Sequence, residues 1–120
     1  LTFAGARRPL YYLLPDQKET LHVVKGTRKS IGGLQNKRVS FQLHELLLPK
    51  ASLLYVGSDG LVDQNNPDRK KFGAKRLEEL LQKIAWLPLE EQKATIEQEL
   101  TKHMQGATQR DDILWMGIKT

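Results

Sequence analysis

Two places in this 120-residue chain put acidic side chains where hydrolytic chemistry needs them. Asp59-Gly60 follows a dense apolar run, Ser52–Val56. An Asp directly after a buried strand projects from the end of the sheet, and a glycine beside it permits a tight turn and close backbone approach. Asp111-Asp112 stands directly before a second apolar run, Ile113–Ile118. Two adjacent acids repel each other unless a cation or hydrogen-bond donors compensate them. If the two runs are antiparallel neighbours, Asp59 and Asp111 meet at one sheet edge. Carboxylates without Cys or clustered His select hard cations, Mg²⁺ or Mn²⁺. Two such ions activate water for attack on a phosphate ester. Each place also has a plainer reading. Ser58-Asp59-Gly60 is an ordinary turn sequence, and Asp111-Asp112 equally caps or solvates a loop. Spacing alone favours the plainer one.

The elements that must position these acids follow from periodicity. Leu1–Ala6 and Leu10–Leu14 are apolar runs separated by Arg7-Arg8-Pro9, the pattern of a hairpin. Leu21 and Val23 alternate with their neighbours, as do Val39, Phe41 and Leu43 with Ser40, Gln42 and His44, the period of a half-buried strand. Ser52–Val56 is unbroken, as expected of a strand covered on both faces. After the Asn65–Asp68 loop the period changes. Leu77, Leu80, Leu81 and Ile84 mark one face of a helix. Pro88, Glu90 and Glu91 suit the start of a second helix, carried by Leu89, Ala94, Ile96, Leu100 and Met104, with Gly106 as its stop. Ile113–Ile118 is a last strand. Strands, then two helices, then one strand predict an α+β layered fold.

Composition narrows the class. A chain of 120 residues makes one domain and buries roughly two-thirds of its unfolded surface. With 39% hydrophobic and 28% charged residues it is neither disordered nor collagen-like. The absence of Cys excludes a disulfide scaffold, a thiolate zinc site and a Cys nucleophile, and it suits a reducing, cytoplasmic setting. No apolar run approaches a membrane span, so no membrane contact by this segment is expected. The chain opens at Leu1 in what reads as a strand, so a piece of something longer is expected.

Charge is uneven. Residues 1–58 hold nine Lys/Arg against three Asp/Glu, and residues 59–120 hold ten against eleven. The basic half suggests nucleic acid, yet its cations sit in or beside turns and no RNA-stacking motif surrounds Phe3, Tyr11, Tyr12 or Phe41. Solvated strand ends are the favoured reading, and no nucleic-acid partner is expected. His22, His44 and His103 show no ligand spacing and read as surface or strand residues. Ser30 and Ser58 lack a neighbouring base for nucleophilic work. The glycine-rich stretch 26–33 is not a phosphate-binding Walker loop. Trp86 and Trp115 read as core or core-edge aromatics, and Asp63 as a loop-solvating acid.

Several segments, taken in order, carry a resemblance. Leu53–Gln64, with its Leu-Tyr-Val-Gly-Ser-Asp-Gly run, resembles the strand-to-Asp-Gly segment of PPM (type 2C) phosphatases of the SpoIIE branch, bacterial serine/threonine phosphatases that include sigma-factor regulators. Lys71–Leu77 resembles that family's Phe-Gly helix start, and Gln109–Leu114 its closing Asp-Asp motif. Leu1–Leu10 resembles its first hairpin, and Ser30–Gly33 falls where it has a Gly loop. Order and spacing agree over essentially the whole chain.

The resemblance implies an α-β-β-α sandwich with a dinuclear Mn²⁺ or Mg²⁺ centre, where metal-activated water hydrolyses a phosphoserine or phosphothreonine. It implies that Asp59 and Asp111 bind metal, that Gly60 shapes the turn beneath, and that Asp112 supports the site. Arg7 or Arg8 replaces the family's His in the first hairpin and is a candidate phosphate contact. The resemblance covers only the C-terminal half of such a domain, since the family's other metal-binding acids lie upstream. Residues 1–120 alone are therefore expected to be inactive. The implied partners are a phosphoprotein substrate such as an anti-sigma-factor antagonist, an upstream sensor or receiver domain, and a second copy or the missing half covering an apolar sheet face. The parent protein would be cytoplasmic or membrane-tethered. The rival reading is a catalytically silent interaction module of the same fold. A basic nucleic-acid-binding domain ranks third.

Overall fold

The computed structural model describes residues 1–34 and 37–120. In chain order its elements are β1 (Thr2–Phe3), β2 (Leu10–Leu13), β3 (His22–Val24), β4 (His44–Glu45), β5 (Leu53–Gly57), α1 (Gly60–Asp63), α2 (Ala74–Ile84), α3 (Leu89–Met104) and β6 (Trp115–Lys119). The main sheet is antiparallel, in the order β3-β2-β5-β6, and β1 pairs with β4 in a separate two-stranded ladder. The α+β architecture expected from the change of period is what the chain adopts.

The core lies between one face of the main sheet and the helices. Leu13, Leu53 and Tyr55 point to the same side and meet Leu77, Leu81 and Ile84 of α2 and Ile96 of α3. The spacing of those α2 residues places them on one stripe of a helix, which is why α2 lies flat on the sheet. Leu61 and Phe72 close the core near the end of β5. Tyr55 donates its hydroxyl proton to Gln92 Oε1 at 2.7 Å. Burial pushes its pKa up to about 12, against the opposing effect of that hydrogen bond. The body measures 42 × 41 × 19 Å, the thickness of one sheet with one helix layer. On the sheet face away from the helices, Met116 and Ile118 are 48% and 43% exposed. No helix among the described residues is long and apolar enough to cross a membrane.

Four local expectations are corrected. Leu1–Ala6 does not pair with Leu10–Leu14. Both edges of β2 are taken, by β3 and β5, so β1 pairs instead with β4, Thr2 opposite Glu45 and Phe3 opposite His44. The alternating segment Val39–Leu43 forms no strand. It is held by side chains, with Lys29 Nζ donating to the Val39 carbonyl at 2.7 Å and Gln42 N–H to Thr27 Oγ1 at 2.9 Å. Between β5 and β6 lie three helices rather than two, because the chain past Asp59 coils into the single turn α1. His103 is buried, 7% exposed. Its Nε2 donates to the Gln64 carbonyl, and its Nδ1 faces Arg76 Nη1 at 2.9 Å. The α3 stop is as expected: Gln105 takes a left-handed conformation at φ 47 and Gly106 follows at φ 82.

Candidate active site

The site sits where β5 and β6 end side by side. Gly57 pairs with Trp115 in the antiparallel ladder, so the residues after one strand lie against those before the other. Ser58 fastens them. Its backbone N–H donates to the Leu114 carbonyl at 2.9 Å. Its Oγ accepts the Leu114 N–H at 3.1 Å and donates to the Asp112 carbonyl at 2.9 Å. Gly60 then presses against the same segment. A Cβ there would collide with the Asp112 carbonyl oxygen and come within 3.0 Å of Ile113 Cγ1. Only glycine lets the chain turn into α1 at this distance from Asp112.

Asp59 stands at the head of α1, its carbonyl accepting the Asp63 N–H at 2.8 Å. Its side chain makes no cap bond to that helix. The carboxylate turns instead to Arg8, with Oδ2 3.3 Å from Nη1 and both side chains about half exposed. Across the strand mouth, Asp111 Oδ1 accepts the Asp112 backbone N–H at 2.8 Å, and its carbonyl accepts from Gln109 Nε2. Asp111 and Asp112 are both exposed.

Thus the fold brings the segments of Asp59, Gly60, Asp111 and Asp112 together from more than fifty residues apart, and adds Arg8 from the β1–β2 connection. Arg7 makes no ion pair with these acids. It holds a left-handed backbone at φ 63 and lines a neighbouring cleft with Lys25 and Arg28. Asp63 is engaged elsewhere, in an ion pair with Lys71 at 2.9 Å.

Two supporting residues escaped the sequence reading. In the sequence Ser58 has no neighbouring base, yet its hydroxyl joins both acid-bearing segments. Gln64 is 0% exposed. Its Nε2 donates to the Asn65 and Thr108 carbonyls at 3.0 and 3.1 Å, and its Oε1 accepts the Arg110 N–H at 3.1 Å. It thereby anchors the approach to Asp111 onto the end of α1. The only trace in the sequence is a polar residue two positions past the apolar Leu61-Val62 step, directly before the Asn65–Asp68 stretch that composition assigns to a loop.

The family model for Stage II sporulation protein E (SpoIIE) matches residues 1–120. This chain belongs to the SpoIIE family. The SpoIIE-family chain is 30% identical over 97 residues to Protein IcfG of Synechocystis sp., a match that takes in 81% of this chain and 15% of that protein. Its fold superposes on the SiaA-PP2C domain of Pseudomonas aeruginosa with a TM-score of 0.86 and 28% identity, over 99% of this chain and 46% of that one. The chain thus spans about half of the matched structure and a smaller share of the matched protein. A SpoIIE-type, PPM-like phosphatase fold is what these matches show.

Phosphatases of this type are metal-dependent. Gly60's lack of a side chain brings the Asp112 carbonyl close to the turn that carries Asp59, and the acids present are hard oxygen donors, the type Mn²⁺ and Mg²⁺ take. The number is short. Among the described residues no group of three or more His, Asp or Glu side chains is disposed to hold an ion, while these ions prefer about six oxygens. The SpoIIE-family residues fit one wall of such a site in kind.

Proposed function

We propose that this chain supplies the Asp59 and Asp111 side of the active site of a metal-dependent protein serine/threonine phosphatase. The observation that carries the reading is the Ser58 staple, which locks the Asp59 turn and the Asp111-Asp112 segment at one sheet edge. Asp59 and Asp111 would hold a divalent Mn²⁺ or Mg²⁺, which when bound lowers the pKa of water and offsets phosphate charge. The chain's own residues do the rest. The Asp112 N–H occupies Asp111 Oδ1 and so orients that carboxylate, leaving Oδ2 as a donor. Ser58 keeps the two acids in register. Arg8 places guanidinium N–H donors beside Asp59, where they can bind a phosphoryl oxygen with the planar fork that suits phosphate.

Family membership supports a phosphoprotein substrate in bacterial signalling, such as a phosphorylated anti-sigma-factor antagonist, under control of a sensor or receiver domain in the same protein. Two carboxylates are too few for the ions, so activity needs the acids that the family carries upstream. The test is Mn²⁺-dependent hydrolysis of p-nitrophenyl phosphate by the full-length protein, with calorimetric Mn²⁺ binding alongside. Chelator should abolish turnover, and Asp59→Asn and Asp111→Asn should each lose both metal affinity and turnover. Unchanged turnover in both variants removes the assignment. Absence of Mn²⁺ binding by the wild type would instead favour the silent interaction module.

A further inference from the structure

A basic cleft of about 560 Å³ opens beside the Asp59 rim, lined by Arg7, Arg8, Lys25 and Arg28 with a single acid, Glu78. Its walls are two loops zipped together. Arg7 N–H donates to the Thr27 carbonyl at 2.8 Å, and Thr27 N–H donates to the Gly5 carbonyl at 2.7 Å. Gly26 allows this contact, because a Cβ there would sit 2.8 Å from the Arg8 nitrogen. The cations are therefore presented from short, bonded backbone rather than from a loose tail. Arg8 joins the cleft to the site through its 3.3 Å contact with Asp59. Among the described residues, no carboxylate lies within ion-pair distance of Arg7, Lys25 or Arg28. Three like-charged side chains line one cleft without a partner carboxylate, and an anionic ligand offsets their mutual repulsion.

We infer that this cleft is a specificity subsite that takes acidic side chains, Asp or Glu, flanking the phosphorylated residue of the protein substrate. The inference rests on the phosphatase reading for the phosphoryl position and adds the sequence around it. Arg8 marks the boundary, with the phosphoryl group on its Asp59 side and the flanking acids on its Lys25 and Arg28 side. A nucleic acid fits less well. The cluster is small and interrupted by Glu78, Tyr11 beneath it is 4% exposed and unavailable for stacking, and Phe41 is occupied by Lys29, whose Nζ stands 5.2 Å from its ring centre. Exposed ion pairs of this kind are individually weak and screened by salt, so the subsite tunes choice among substrates rather than providing most of the affinity.

The experiment uses the full-length protein with three substrates: p-nitrophenyl phosphate, a phosphoserine peptide flanked by Asp and Glu, and the same peptide flanked by Asn and Gln. Lys25→Ala and Arg28→Ala should each lower the acidic-to-neutral ratio of kcat/KM about two- to fivefold, mainly through KM. The Lys25→Glu/Arg28→Glu double variant should reverse the preference. Turnover of p-nitrophenyl phosphate should not change, and added NaCl should shrink the wild-type ratio. An unaltered ratio in the double variant, with p-nitrophenyl phosphate turnover intact, overturns the subsite and spares the phosphatase reading. Loss of wild-type p-nitrophenyl phosphate turnover overturns that reading. In that event, anisotropy of the fluorescein-labelled acidic peptide still judges the cleft: weaker binding on charge reversal supports it, and equal binding overturns it. Tight binding of a uridine oligonucleotide that the double variant loses, with no effect on either peptide, also overturns it.

Discussion

Arg8 Nη1 stands 3.3 Å from Asp59 Oδ2, a contact between the connection that follows β1 and the turn that follows β5. It fixes which arginine of the Arg7-Arg8 pair faces the acids, a matter of one residue in register. Both partners are about half exposed, so the pair adds little to stability, about 0.2–1 kcal/mol. Arg8→Ala should therefore leave the melting temperature within about four degrees of wild type, yet lower kcat/KM for phosphoester substrates about tenfold or more. Arg8→Lys should recover only part of the loss, since a lysine cannot make the two-pronged contact. Equal activity in all three proteins would show that Arg8 has no part in phosphate binding.

The two acids should behave as a unit. Asp59→Asn and Asp111→Asn should each lower Mn²⁺-dependent turnover more than about a hundredfold in the full-length protein, since even residues that merely support metal ligands cost 10–100-fold. The double variant should be little worse than either alone. Calorimetric Mn²⁺ titrations run beside the kinetics separate a lost ligand from a misfolded chain.

Gly60 makes a stability prediction. In Gly60→Ala the new methyl meets the Asp112 carbonyl and Ile113, in a segment that Ser58 holds at Asp112 and Leu114. The backbone must shift, at a cost of about 1–3 kcal/mol. Urea unfolding measures this, and a neutral result would mean that the turn has room to relax.

Gln64 predicts a loss of similar size from the opposite cause. In Gln64→Leu the part-buried bonds to the Arg110 N–H and the Thr108 carbonyl are lost, costing about 1–3 kcal/mol. Amide exchange at Arg110 should speed up in that variant, while the α2 amides near Leu77 and Leu81 keep their relative protection.

Alkaline pH tests Tyr55. Its pKa is raised from 10.0 to about 12 in the fold, so the folded state keeps the proton longer than the unfolded chain does. The stability it contributes is complete below about pH 10 and is lost as pH climbs from there towards 12. Urea midpoints should fall over that window for the wild type. The fall should be shallower in Tyr55→Phe, which also loses the hydrogen bond to Gln92.

The sequence by itself determined the local terms of this protein. The apolar runs at β5 and β6, the stripe on α2 and the glycine after α3 each follow from side-chain period or backbone preference within a few residues. The Asp-Gly and Asp-Asp positions were legible for the same reason, since one follows an apolar run by a Gly-Ser step and the other directly precedes one. Tertiary structure decided what those pieces meet. Alternation marks Val39–Leu43 and His22–Val24 alike, but only the latter found a free strand edge, because pairing depends on which edges are left open. His103 carries no buried signature in its neighbours, and it becomes core because the Gln64 carbonyl and Arg76 await it on other elements. Arg7 and Arg8 are interchangeable in sequence. Both line the basic cleft, but only Arg8 contacts Asp59, and the left-handed turn at Arg7 is held by hydrogen bonds to Thr27 twenty residues away.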